Sequence, residues 1–140
     1  MTEHKVKTIP PRDSWGKPPD VEEKDPHGLD AKEPGAKLDA GKINLGLLKD
    51  FKYALLALGV LATRGADNYS PHGWQKAENG IERYESAMIG HWLREGIEYL
   101  DPGVKLPHQI LRAWNDLASL ELWLRTQPDL ISQLAKRKMI

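Results

Sequence analysis

Residues 80–101 read GIERYESAMIGHWLREGIEYLD. Ile81, Tyr84, Met88, Trp92, Leu93 and Ile97 are its apolar residues, spaced as in a helix, and Asp101, Pro102 and Gly103 supply a stop and a turn. The spacing predicts a helix over residues 80–100. Around its wheel, Arg83, Ala87, His91, Arg94, Glu95, Glu98 and Asp101 project within roughly a third of the circumference. Apolar residues flank that stripe on both sides, so it is expected to face the interior of a bundle. Glu95 with Glu98, and Glu98 with Asp101, are i, i+3 pairs whose carboxylates converge. Converging carboxylates repel unless a cation sits between them, and Mg²⁺ is a hard-oxygen occupant for such a site. A solvated acidic face paired with lysine or arginine has the same spacing and needs no metal.

Working outward, Pro107 stands where the first position of a further helix is expected, and Ile110, Leu111, Trp114, Leu117, Leu120 and Leu124 carry it toward Pro128. On the other side, Leu47, Leu48, Phe51, Leu55 and Leu58 predict a helix over residues 45–64, ended by Gly65. Residues 66–79, rich in Gly, Pro, Asn and Ser, form a loop long enough to suggest a functional role. Within it, Tyr69 and Trp74 suit either stacking on a nucleobase or packing as anchors. Residues 129–137 predict one more short helix, with Lys136, Arg137 and Lys138 near its C-terminal end.

Six of the ten prolines, Pro10, Pro11, Pro18, Pro19, Pro26 and Pro34, lie in the first 34 residues. They favour an extended arm over a helix. Such an arm is either a disordered leader or a strap along a partner subunit, with Val6, Ile9 and Trp15 to bury. No β-type alternation and no internal repeat occurs. The expectation is an all-α protein: a small helical bundle of three to four helices with an extended Pro-rich N-terminal arm. Its divisions are residues 1–34 for the arm, 35–127 for the helical domain, and 128–140 for a C-terminal helix or tail.

The chain has 140 residues, 40% of them hydrophobic, enough for one domain with a core. Twenty basic and twenty acidic residues balance to zero. That lacks the charge footprint of a nucleic-acid coat or a polybasic membrane anchor. The absence of cysteine excludes disulfide scaffolds and thiolate zinc sites. Residues 1–5 have no apolar core for a signal peptide, and the apolar run at residues 54–62 is too short to span a bilayer. A soluble, cytoplasmic protein is expected, without direct nucleic-acid or membrane binding.

Four further residues bear on chemistry. His108, in the first turn of the helix after Pro107, suits a cap or packing residue, or a contact to phosphate. Asn115, two turns along the same face and among apolar neighbours, suits an interhelical tie or a ligand contact. Lys42, beside Gly41, can approach a phosphate, although the full Walker pattern is missing. Arg83 offers a cation on the charged stripe. No histidine is followed by aspartate, so the pattern of HD phosphohydrolases is absent.

The ordered series Lys37, Asp39, Gly41, Lys42, then Thr63, Gly65, Ala66, Tyr69, Gly73 and Trp74, resembles the first half of the bacteriophage dATP/dGTP diphosphohydrolase domain. Arg83, Tyr84, Ala87 and His91, then Glu98 and Asp101, then His108 with Trp114 and Asn115, resemble its second half. The resemblance covers residues 35–125. It implies a MazG-like all-α enzyme, a dimer or tetramer using Mg²⁺ or Mn²⁺. The implied reaction cleaves dATP or dGTP to the monophosphate and pyrophosphate, shaping the nucleotide pool for phage DNA synthesis in the host cytoplasm.

The superfamily's Glu-x-x-Asp metal element maps onto Glu98 and Asp101, and helix geometry adds Glu95. The implied roles are catalysis for Glu98, Asp101 and His108, and substrate binding for Lys42, Arg83, Asn115 and Trp74. Asn68 and Gly90 stand where the family pattern has lysine and arginine. They carry the alternative: a degenerate module of the same fold that binds nucleotides, or a host protein, without turnover.

Overall fold

The computed structural model describes residues 22–135, and their regular elements are all helical. In chain order they are a 3₁₀ helix at Leu45–Phe51, α1 at Lys52–Asn68, a 3₁₀ turn at Gly73–Lys76, α2 at Gly80–Arg94, α3 at His108–Arg125 and α4 at Pro128–Ala135. An isolated antiparallel bridge joins Leu100 and Pro107. The all-α expectation holds. The chain divides into two units, Leu47–Gln127 and a second made of Met1–Gly46 with Pro128–Ile140.

In the helical unit α2 packs chiefly on α3, and α1 also packs on α3. Gly80 permits the closest approach. A Cβ there would lie 2.6 Å from Leu122 Cδ1, so the absence of a side chain lets α3 sit against the first turn of α2. Ser119 Oγ donates to the Ile81 carbonyl at 2.9 Å, a second tie between the two helices. Trp74, Tyr84 and Trp114 meet edge to face, with centroids 5.6 to 6.1 Å apart. Each such pair adds about 0.5–1.5 kcal/mol beyond area burial. The Tyr84 hydroxyl donates to the Trp74 carbonyl at 2.8 Å and so fastens the 3₁₀ turn to α2.

Four boundaries differ from the sequence reading. The first helix starts as 3₁₀ at Leu45–Phe51 and becomes α only from Lys52. It runs through Gly65, which is not among the glycines with positive φ, and so makes no left-handed cap. It ends at Asn68, where the Tyr69 N–H still donates to the Gly65 carbonyl. α2 ends at Arg94 rather than near Leu100. The N–H groups of Ile97 and Glu98 both turn back to the Arg94 carbonyl, and Gly96 with β-branched Ile97 is weak helical material at that point. Pro107 precedes α3 in an extended conformation rather than occupying its first turn.

In the second unit, Asp25 organises a loop. Its Oδ1 accepts the N–H of His27 at 2.7 Å and of Leu29 at 3.4 Å, and its Oδ2 accepts that of Lys37 at 2.9 Å. Most of the Pro-rich arm expected over residues 1–34, with Val6, Ile9 and Trp15, lies outside the described residues, as do Lys136, Arg137 and Lys138. No helix among the described residues is long and apolar enough to cross a membrane.

Candidate active site at the end of the second helix

Beyond Arg94 the chain folds into a loop built on Asp101. Asp101 Oδ1 accepts the N–H groups of Gly103 at 2.8 Å and Val104 at 2.9 Å, an Asx-type turn. Its own N–H donates to the Leu106 carbonyl at 2.8 Å, and its carbonyl accepts the Lys105 N–H at 2.9 Å. Arg64, from the last turns of α1, donates through Nη1 to the Val104 carbonyl at 2.6 Å. These bonds present Asp101 beside two histidines from two different helices.

His91 comes from the last turn of α2 and His108 from the first residue of α3. His108 is 1% exposed, the most deeply buried large side chain among the described residues. Its Nδ1 lies 2.9 Å from His91 Nδ1. Its Nε2 lies 3.1 Å from Glu98 Oε2. One ligating atom from each of His91, Asp101 and His108 falls within 4.8 Å of the others. Two imidazoles and a carboxylate fit a divalent ion, because both donor types bind such ions directly.

Burial pushes the His91 imidazole below its ordinary pKa. His108 and Arg94 push the same way, and Asp101 pulls in the opposite direction without prevailing. Burial acts to raise the Asp101 carboxyl, but the N–H groups of Val104 and Gly103, with both histidines, outweigh it and hold the group below its ordinary value. The centre therefore contains an anionic carboxylate beside an imidazole kept neutral, the protonation states in which both act as ligands.

Along α2 from this centre runs an open groove of about 480 Å³, lined by Arg83, Ser86, Ala87, Gly90, His91 and Arg94. Arg83, Ala87 and His91 repeat at i, i+4 and i+8, so a single helix face carries cations and a ring nitrogen toward the same space.

The residues singled out from the sequence are distributed as follows. Asp101 and His108 belong to the cluster, and Glu98 pairs with His108. Glu98 and Asp101 lie past the end of α2, so the helical spacing that paired them does not operate. Glu95 faces Arg112 instead, with Nε 2.8 Å from Oε1. The contact is an ion pair by distance but misaligned for a hydrogen bond, and Oε1 is left buried without one.

Arg83 lines the groove, and its Nη1 also donates to the Glu78 carbonyl at 3.3 Å. Asn115 is buried, and its Nδ2 donates to the Leu111 carbonyl at 2.8 Å. Trp74 stands in the aromatic triad, with the Arg125 guanidinium 5.8 Å from its ring. Lys42 belongs to the other unit, where its N–H donates to the Asp39 carbonyl at 3.1 Å. Sequence reasoning did not select His91 or Arg94 as site residues. Both lay on the charged stripe of the wheel, so the signal was present, but attention to carboxylate spacing passed over it.

The sequence model of the family described as dATP/dGTP diphosphohydrolase, N-terminal, matches residues 32–130. No curated protein and no solved structure gives a significant match. The chain belongs to the dATP/dGTP diphosphohydrolase N-terminal family, since the match spans well over half of it.

Proposed function

We propose that this member of the family hydrolyses purine deoxynucleoside triphosphates, dATP or dGTP, to the monophosphate and pyrophosphate, with a divalent ion held by His91, Asp101 and His108. The observation that carries the reading is the cationic groove beside those donors: Arg83 and Arg94 line it together with His91. A triphosphate is polyanionic, and guanidinium groups bind phosphate oxygens in a bidentate fork. The groove volume lies within the usual range for small-molecule sites.

In the proposed mechanism the ion, when bound, neutralises triphosphate charge and lowers the pKa of water. Arg83 and Arg94 hold the phosphate chain and counter the charge that grows on the leaving pyrophosphate. Asp101, ionised and fixed by its own loop, supplies a fixed negative charge to the donor set. Glu98 holds His108 through Nε2. Trp74 and Asn115 support the scaffold from the aromatic triad and from inside α3.

A homo-oligomer in the host cytoplasm, active on the phage nucleotide pool, is part of the same proposal. The oligomer is supported by the apolar surface left on the helical unit. Among the described residues the buried hydrophobics are Leu61, Leu111 and Ala118, while Phe51, Leu55, Leu56, Trp92 and Leu93 are each more than half exposed. Exposed apolar faces of that extent mark interaction surfaces.

The test is direct. The full chain is incubated with dATP, dGTP, dCTP or dTTP plus Mg²⁺ or Mn²⁺, and products are separated by ion exchange. Pyrophosphate is expected from the purine substrates, and its absence from all four sinks the activity. One observation favours a second reading. Gly90 lines the groove, and a Cβ at that position would meet open space, so a position at its wall carries no cation. Calorimetry showing tight dNTP binding without turnover supports a nucleotide-binding module instead.

A further inference from the structure

The donor set at the end of α2 is rich in nitrogen, and that decides which ion it suits. We propose that His91, Asp101 and His108 form a centre selective for a first-row transition ion such as Mn²⁺, Fe²⁺ or Co²⁺ over Mg²⁺, with Glu98 as the positioning residue that fixes the tautomer of His108. It concerns the site described above and rests on the proposed activity only for the identity of the substrate.

Mg²⁺ demands oxygen ligands and sheds its water reluctantly. Imidazole nitrogen binds first-row transition ions more tightly, in the order Mn²⁺ below Fe²⁺ below Co²⁺. Here two of three donors are imidazoles. Their Nδ1 atoms stand 2.9 Å apart. Two nitrogens each about 2.1 Å from one ion, at a right angle, are about 3.0 Å apart. The hydrogen bond between the rings thus already holds the two nitrogens close to the separation of neighbouring ligands around a common centre.

The role of Glu98 follows from hydrogen-bond chemistry. An ionised carboxylate only accepts, so Glu98 Oε2, 3.1 Å from His108 Nε2, requires the proton on Nε2. The lone pair of His108 is then on Nδ1, where it accepts the His91 Nδ1–H at 2.9 Å; an ion between the rings would replace that proton, with His91 protonated on Nε2 instead. A carboxylate behind a ligating histidine is the usual means of fixing its ring and raising its basicity. The His108 side chain is fully buried, so the ring has no solvent partner to satisfy it in a flipped orientation. Asp101 is restrained equally well, since the Gly103 and Val104 N–H groups both fall on its Oδ1.

The experiment measures ion binding by the full chain without nucleotide. Equilibrium dialysis with Mn²⁺ and with Mg²⁺ gives affinity and stoichiometry, and Co²⁺ absorption reports nitrogen ligation. One ion per chain is expected, with Mn²⁺ held more tightly than Mg²⁺. His91→Ala, at a half-buried position, removes that preference while circular dichroism stays helical. Glu98→Ala weakens Mn²⁺ about tenfold or more and abolishes the Nε2–H tautomer of His108 seen by nitrogen NMR, and Glu98→Asp restores part of both.

Equal affinity for Mg²⁺ and Mn²⁺, unchanged affinity in His91→Ala, or an Nδ1–H tautomer in the wild type overturns the proposal. Selective ion binding without dNTP turnover upholds it and removes the diphosphohydrolase reading. Turnover that runs on Mg²⁺ and is indifferent to His91→Ala does the reverse.

Discussion

His108 Nδ1 lies 2.9 Å from His91 Nδ1, joining the first residue of α3 to the last turn of α2. The link crosses the two helices that pack most extensively in the molecule, so the chemistry of the centre depends on that packing. Asp101→Asn tests the centre without breaking its loop, because the amide oxygen still accepts from Gly103 and Val104. Activity on dGTP is expected to fall at least about a hundredfold with little change in Tm. Undiminished kcat in this variant removes Asp101 from the chemistry.

Arg83 and Arg94 line the groove beside His91 and make no ion pair among the described residues. A charge-assisted hydrogen bond is worth roughly 1.5–3 kcal/mol, and both residues are exposed, so the lower end applies. Arg83→Ala and Arg94→Ala are each expected to raise KM for dATP or dGTP about tenfold, more than they lower kcat. Steady-state kinetics at fixed ionic strength checks this, and an unchanged KM in both places the triphosphate elsewhere.

Gly80→Ala puts a methyl group 2.6 Å from Leu122 Cδ1. Overpacking of that kind costs about 1–3 kcal/mol. Urea unfolding of Gly80→Ala, Leu122→Ala and the double variant should show coupling. The double variant is expected to lose at least about 0.5 kcal/mol less than the two single losses combined. Strict additivity means that the helices do not meet at that point.

Asp25 gives the second unit a defined acid response. The Lys37 N–H is the largest influence holding its carboxyl below the ordinary value of 3.8, and the N–H groups of His27 and Leu29 add to it against a smaller effect of burial. A carboxyl whose folded pKa is depressed contributes stability above its unfolded pKa and loses it as pH falls through the folded one. The amide resonances of Leu29 and Lys37 should therefore report the Asp25 carboxyl by moving below the region of 3.8. A midpoint at or above 3.8 contradicts the assignment.

Leu55, Leu56 and Val60, with Gly59, Thr63 and Arg64, line an open groove of about 590 Å³ on α1. Sedimentation at micromolar concentration is expected to give at least a dimer, and Leu56→Glu to lower the mass toward that of one chain. A monomeric wild type would leave the proposed oligomer without support.

The helices themselves were legible in the sequence. Periodicity of Ile81, Tyr84 and Met88, and of Leu111, Trp114 and Leu124, is a local property that each segment carries alone, and the ordered motifs identified the family before any fold was seen. Helix ends were less legible. Gly65 is a good cap in the abstract, but the chain continues as helix to Asn68, since nothing local forces a left-handed residue there.

The candidate site was half legible. Asp101 and His108 were named from motif and position, while the pairing of His108 with His91 and Glu98, and of Glu95 with Arg112, was not. Sequence spacing gives a carboxylate's neighbours only while the helix lasts, and α2 stops at Arg94. Past that point the direction of each side chain is set by a loop whose hydrogen bonds close on Asp101, and by the docking of α3 against Gly80. Composition and periodicity thus determined an all-α chain with acids, histidines and arginines near one helix end. Only the tertiary structure decided which of them meet, because contacts across separate helices depend on how those helices pack, which no local spacing encodes.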